Sequence, residues 1–83
     1  MPTVLQQSGF DFVIYTNDHR PSHVHVFKGN AELVVNIGDE NTKPVVRENR
    51  GVTRKADFAK ILRMVADNQD FLLEKWRKIH GQE

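Results

Sequence analysis

Two periodicities divide the chain. As far as residue 37, apolar and polar side chains alternate at the two-residue period of a strand; from residue 53 the apolar ones recur every three or four positions, as in a helix. The alternation predicts strands at 3–7, 10–16, 23–28 and 31–37. In 10–16, Phe10, Phe12 and Ile14 share one face while Asp11, Val13 and Tyr15 share the other. In 31–37, Ala31, Leu33, Val35 and Ile37 oppose Glu32, Val34 and Asn36. Ser8-Gly9 is a turn signal, and Gly29-Asn30 predicts a hairpin joining 23–28 to 31–37. The segment 17–22 reads as a loop, with Asx-turn formers at Asn17 and Asp18, and with Pro21 holding Arg20 out of the helical region. Gly38–Pro44 is a polar loop, and Val45–Arg47 is compatible with a short edge strand.

In the second half, Phe58, Ile61, Leu62, Val65, Leu72, Trp76 and Ile79 form one helical stripe. One continuous helix over 53–80 would be about 42 Å long at ~1.5 Å per residue, too long for so small a globule. The polar run Asp67-Asn68-Gln69-Asp70 therefore predicts two helices, about 54–66 and 68–80, with Asp67 capping the second and Gly81 ending it. The fold class expected is α+β: an antiparallel sheet of three to four strands in the N-terminal half, packed against two C-terminal helices. Trp76 should be the largest contributor to the interface between them. No repeat or linker divides residues 1–83, which read as one domain.

Composition narrows the function. A chain of 83 residues buries about 60% of its unfolded surface, so its stability should be thin. The chain has no cysteine, which excludes disulfides and thiolate metal sites. A metal could be held only by His, Asp or Glu. The start Met1-Pro2-Thr3-Val4-Leu5 has no basic n-region, and no apolar run approaches the ~20 residues of a membrane span. The cytoplasm is the expected address, with no membrane partner.

The net charge of +1 hides an asymmetry. Residues 1–42 carry −3, and residues 43–83 carry +4. Within 43–63, Lys43, Arg47, Arg50, Arg54, Lys55, Lys60 and Arg63 face only Glu48 and Asp57, a net +5. Such a block suits nucleic acid or an acidic protein, and it is equally compatible with an ordinary solvated face.

The candidate chemistry lies in Asp18-His19-Arg20-Pro21-Ser22-His23-Val24-His25-Val26. On a strand, His23 and His25 share a face, and the preceding loop can return His19 towards them. Three readings follow. Two imidazoles titrating near neutral pH can divide general base and general acid in phosphodiester cleavage, with Arg20 steadying the developing charge. Alternatively, His23, His25 and Asp18 can ligate a divalent metal. In the third reading the valines are core and the histidines are merely the wetter face. A second feature lies where the first helix begins. With Thr53 as N-cap, Arg54 and Lys55 oppose the helix dipole, and the capping-box glutamate is replaced by Ala56. That pattern is compatible with a place that receives phosphate. His80 reads as a partner of terminal helix carbonyls. Gly-rich phosphate loops, an arguable Ser-His-Asp triad and zinc-finger spacing are all missing, so no cofactor is expected.

Met1-Pro2-Thr3-Val4-Leu5, the stretch Asn17 to Val26, and Asn68-Gln69-Asp70-Phe71-Leu72-Leu73-Glu74-Lys75-Trp76 resemble the bacterial domain-of-unknown-function family numbered 4160 over nearly the whole chain. The family pattern falls on Asn17, Asp18, His19, Pro21, His23, Val24, His25 and Trp76. Ser22 replaces a second proline common in that family, and Thr53-Arg54-Lys55-Ala56 departs from its Ser-x-x-Glu-like helix start. The resemblance implies a small stand-alone protein encoded beside a small, antitoxin-like partner, as a toxin component of a toxin–antitoxin pair.

Residues and resemblance together suggest a toxin-like protein, a metal-independent ribonuclease using His19, His23, His25 and Arg20. Arg47, Arg50, Arg54 and Lys55 would hold phosphate or a partner. The competing reading is a non-enzymatic module that binds a neighbour-encoded protein or nucleic acid, RNA or DNA. Homo-oligomerisation is compatible with either.

Overall fold

The computed structural model describes residues 3–81. Met1 and Pro2, part of the family-like start, and the ends of the expected 1–83 domain lie outside them. Five strands run in chain order through one antiparallel sheet: β1 (Thr3–Gln7), β2 (Phe10–Val13), β3 (His23–Lys28), β4 (Ala31–Asn36) and β5 (Val45–Arg50). Helices α1 (Lys55–Asp67) and α2 (Gln69–His80) follow. The architecture is the expected α+β, with one strand more than the upper expectation.

The turns obey local chemistry. Ser8 and Gly9 both have positive φ, 55° and 83°, which fits a type I′ hairpin. At the β3–β4 hairpin Lys28 pairs with Ala31 across Gly29-Asn30. There Gly29 takes φ 59°, the left-handed first position of a type II′ turn.

The core lies between the sheet and the helices. Phe10, Phe12, Ile14, Val24, Val26, Leu33, Val35 and Ile37 meet Ile61, Met64, Val65, Leu72 and Trp76, all buried. Period two on the strands and spacings of three and four on the helices deliver these side chains to one layer. Val13 and Val34 are also buried, on the opposite face of the alternation, so that face is partly covered as well.

Four local expectations change. β2 ends at Val13 instead of residue 16, because the chain turns at once: the Tyr15 N–H donates to Asp18 Oδ2 (3.0 Å) and the Asp18 N–H to the Tyr15 carbonyl (3.2 Å). β5 is a full six-residue strand beyond the expected 45–47. As a sheet edge it is mostly exposed, so the apolar alternation that marks the other strands is missing. Arg54, not Thr53, is the N-cap of α1, with extended φ/ψ and no side-chain cap bond. Asn68, not Asp67, joins the helices. Its side-chain amide donates to the Met64 carbonyl (2.8 Å) and to Gln7 Oε1 (3.2 Å), tying the break to β1. Among the described residues, no helix is long and apolar enough to cross a membrane.

Candidate functional site: a histidine–carboxylate cluster

The β3 alternation sends Val24 and Val26 into the core and leaves His23, His25 and Phe27 on the other face. The turn at 15–18 then folds Asp18 over that face. His23 Nε2 lies 3.5 Å from Asp18 Oδ1, and His25 Nε2 lies 3.4 Å from Asp18 Oδ2. One ligating atom from each of these three residues lies within 4.8 Å of the others. Among the described residues, Asp18, His23 and His25 are thus the group that could hold a metal.

Each imidazole is braced on its far side. His25 Nδ1 is 2.6 Å from Glu32 Oε2. The hairpin makes this possible: His25 pairs with Val34, so Glu32 is the diagonal neighbour on β4. His23 Nδ1 is 2.9 Å from the Pro21 carbonyl and 3.1 Å from Arg47 Nη1. Arg47 owes its position to a bulge. Val34 pairs with Glu48 and Val35 with Val46, which leaves Arg47 as the extra residue of β5.

Aromatic rings close the cluster. Tyr15 stands edge-on to His25 (centroids 4.8 Å apart), and Trp76 lies 5.3 Å from His23. Further along the sheet, Arg50 grips Glu48 with two bonds of 2.7 and 3.0 Å and reaches Glu32 Oε1 at 3.3 Å. Hydrogen bonding from Arg50 lowers the Glu48 pKa below its ordinary value.

The expected site residues separate into two groups. Asp18, His23 and His25 converge, with Arg47 and Arg50 attached behind them. His19 is exposed and takes no place in this trio. It lines, with Asp18, Arg20, Trp76 and His80, a groove of about 260 Å³ that meets the cluster at Asp18. Arg54 lies elsewhere, in a second cavity of about 320 Å³ with Lys28, Gly29 and Asp57. Lys28 Nζ bonds Asp57 Oδ1 (3.2 Å), which fixes the start of α1, Lys55 included, at the far end of β3. At ~3.4 Å per residue that end is about 17 Å along the strand from His23. The basic block of 43–63 therefore does not form one patch around the histidines. His80 behaves as expected, with Nδ1 donating to the Trp76 carbonyl (3.1 Å). Glu32 and Tyr15 were not anticipated. The Gly29-Asn30 hairpin, counted back, would have placed Glu32 beside His25.

Chemically, the cluster offers two imidazole nitrogens and a carboxylate aimed at one point, each imidazole oriented by a second acceptor. A small α+β domain carrying such a centre is the class that fold and site define. A family model described as Domain of unknown function (DUF4160) matches residues 9–77, and the chain belongs to that family. No curated protein and no solved structure matches the chain.

Proposed function

We propose that this protein is the toxin-like component of a bacterial two-gene toxin–antitoxin module, and that it cleaves RNA at the Asp18–His23–His25 cluster. The observation that carries the reading is the convergence of both Nε2 atoms on Asp18, at 3.4 and 3.5 Å. Phosphodiester cleavage needs proton acceptors held in place and positive charge beside the phosphate. The braced imidazoles supply the first. Arg20 in the adjoining groove and Arg47 beside His23 supply the second. A division of base and acid between His23 and His25 suits this geometry poorly, because both rings address one carboxylate; the trio acts as a unit. The family resemblance supports a life beside an encoded partner.

The test is RNA cleavage by purified protein, with and without chelator, for wild type, Asp18→Asn, His23→Ala and His25→Ala. Each substitution should lower cleavage by roughly 10²–10⁴-fold. Equal cleavage by all four proteins, or none by the wild type, contradicts the reading.

One feature favours a second reading, a non-enzymatic binding module. β5 is a sheet edge, and its first residue, Val45, is 56% exposed, so a partner strand could pair there. Partner capture that survives His23→Ala and His25→Ala together, but is lost on Val45→Asp at the β5 edge, would select it.

A further inference from the structure

We propose that Asp18, His23 and His25 form a binding site for one divalent transition metal of the zinc class. The inference concerns the same site as the proposed cleavage but does not depend on it. A metal on both Nε2 atoms leaves no imidazole lone pair for a proton, so cleavage by those proton acceptors belongs to the metal-free protein, and metal binding is read without RNA.

The outward nitrogens of the two rings set their tautomers. A proton on His25 Nδ1 is shared with Glu32 at 2.6 Å, and one on His23 Nδ1 points to the Pro21 carbonyl at 2.9 Å. Both bonds place the proton on Nδ1 and leave a lone pair on Nε2. Arg47 Nη1, 3.1 Å from the same His23 nitrogen, would select the other tautomer. Each form leaves one mismatch, two donors 3.1 Å apart with the proton on Nδ1 and two acceptors 2.9 Å apart without it, and the shorter contact, to Pro21, favours the Nδ1–H form.

In the Nδ1–H form, two Nε2 lone pairs face the two oxygens of Asp18. Lone pair against carboxylate is repulsive unless something positive stands between them. Their separations, 3.4 and 3.5 Å, exceed the ~2.7–3.2 Å of a good N–H···O bond. A zinc-class ion, with bonds of about 2.0–2.1 Å in a tetrahedron, holds neighbouring donors about 3.3 Å apart, close to each His–Asp18 distance. Those two distances run to different Asp18 oxygens and the three ligating atoms lie within 4.8 Å of one another, so the trio draws in slightly around the ion.

Burial makes the arrangement costly without an occupant. His23 is 5% exposed, and the side chains of Asp18 and His25 are 12% and 13% exposed. His25 Nε2 is buried and takes no hydrogen bond among the described residues. An acceptor on the outer nitrogen of each ring is also the common support of metal-ligating histidines. Two imidazoles with one carboxylate, in a chain without cysteine, suit zinc or a neighbouring divalent transition metal better than a soft monovalent one. Three protein ligands leave a fourth position open, and a groove lined by Asp18, His19, Arg20, Trp76 and His80 adjoins the cluster at Asp18.

The experiment uses the full chain without an affinity tag, stripped by chelator and titrated calorimetrically with zinc chloride, with manganese and nickel chlorides as parallel arms. The expected result is one equivalent bound, with a rise in melting temperature on saturation. Asp18→Asn and His25→Ala should each weaken binding by roughly 100-fold or more, the upper end of what losing even a supporting partner costs. Glu74→Gln, at an exposed α2 carboxylate paired with Lys78, should leave the affinity unchanged. Circular dichroism verifies that each variant is folded. The comparison rests on Asp18 and His25 rather than on His23, whose buried ring serves packing too. No saturable uptake by the folded wild type, or equal uptake by wild type, Asp18→Asn and His25→Ala, overturns the proposal. Saturable binding without any RNA cleavage would instead overturn only the functional reading above.

Discussion

Glu32 Oε2 lies 2.6 Å from Nδ1 of His25, the shortest of the contacts that orient the cluster, and it joins two residues seven apart through a tight hairpin. The carboxylate is itself held by Arg50 Nη1 at 3.3 Å, so His25 is aimed by a chain of charge running to the sheet edge. Glu32→Gln keeps the shape but removes the charge. Zinc affinity should fall roughly 10–100-fold while the circular dichroism spectrum is unchanged. Unchanged affinity would mean that Glu32 does not orient the ring.

Trp76 joins core and site: it is buried against the sheet layer, 5.3 Å from the His23 ring and stacked on His80 at 3.9 Å. Trp76→Ala should cost about 3–5 kcal/mol in urea unfolding. For a domain of this size that is a large part of the whole stability. Trp76→Phe should cost less. A loss below about 1 kcal/mol for the alanine variant would place the indole outside the core energetics.

Gly38 has φ 76°, and a Cβ there would overlap the Thr42 carbonyl oxygen. That oxygen accepts from the Asp39 N–H (3.1 Å) and from Gln69 Nε2 (3.1 Å), so the turn after β4 anchors the start of α2. Gly38→Ala should destabilise by about 1–3 kcal/mol and speed amide exchange at Asp39. Wild-type stability and exchange in the variant would contradict this.

The Glu48 pKa is lowered in the folded protein, chiefly by hydrogen bonds from Arg50. A depressed carboxylate stabilises the fold at pH values above its unfolded pKa, and that contribution fades as pH falls through the folded pKa. Glu48 is exposed, so the effect on stability is small. A carboxylate NMR titration should show Glu48 ionising below the ordinary glutamate range, and Arg50→Gln should return it there. A titration indistinguishable from that of a free glutamate would contradict the Arg50 contact.

Much of the fold was legible because it follows local rules. The two-residue alternation marked β3 and β4, the positive-φ turn residues marked both hairpins, and the stripe through Ile61, Leu72 and Trp76 marked the helices. β5 was only half legible, since an edge strand needs no apolar alternation. Within the site, His23 and His25 were evident from their spacing. Asp18 was a candidate ligand from its place beside them, but its approach to the histidines depends on where β2 stops, which is set by the hydrogen bonds between Tyr15 and Asp18. Arg47 depended on a bulge that shifts the β4–β5 register, and nothing in Val45–Arg50 signals one. The separation of Arg54 and Lys55 from the histidines is a property of topology: β3 starts at the cluster and ends beside α1.

The proposed site requires His23 and His25 both to carry their proton on Nδ1 and turn Nε2 towards Asp18. Long-range proton–nitrogen NMR of the imidazoles reads this directly. In metal-free protein, the neutral form of both rings should show a protonated Nδ1 and an unprotonated Nε2. On addition of one equivalent of zinc, the two Nε2 resonances should shift together, while those of His19 and His80 stay in place. Protonation of Nε2 in either neutral ring, or zinc shifts at Nδ1 or at His19 instead, would contradict the account.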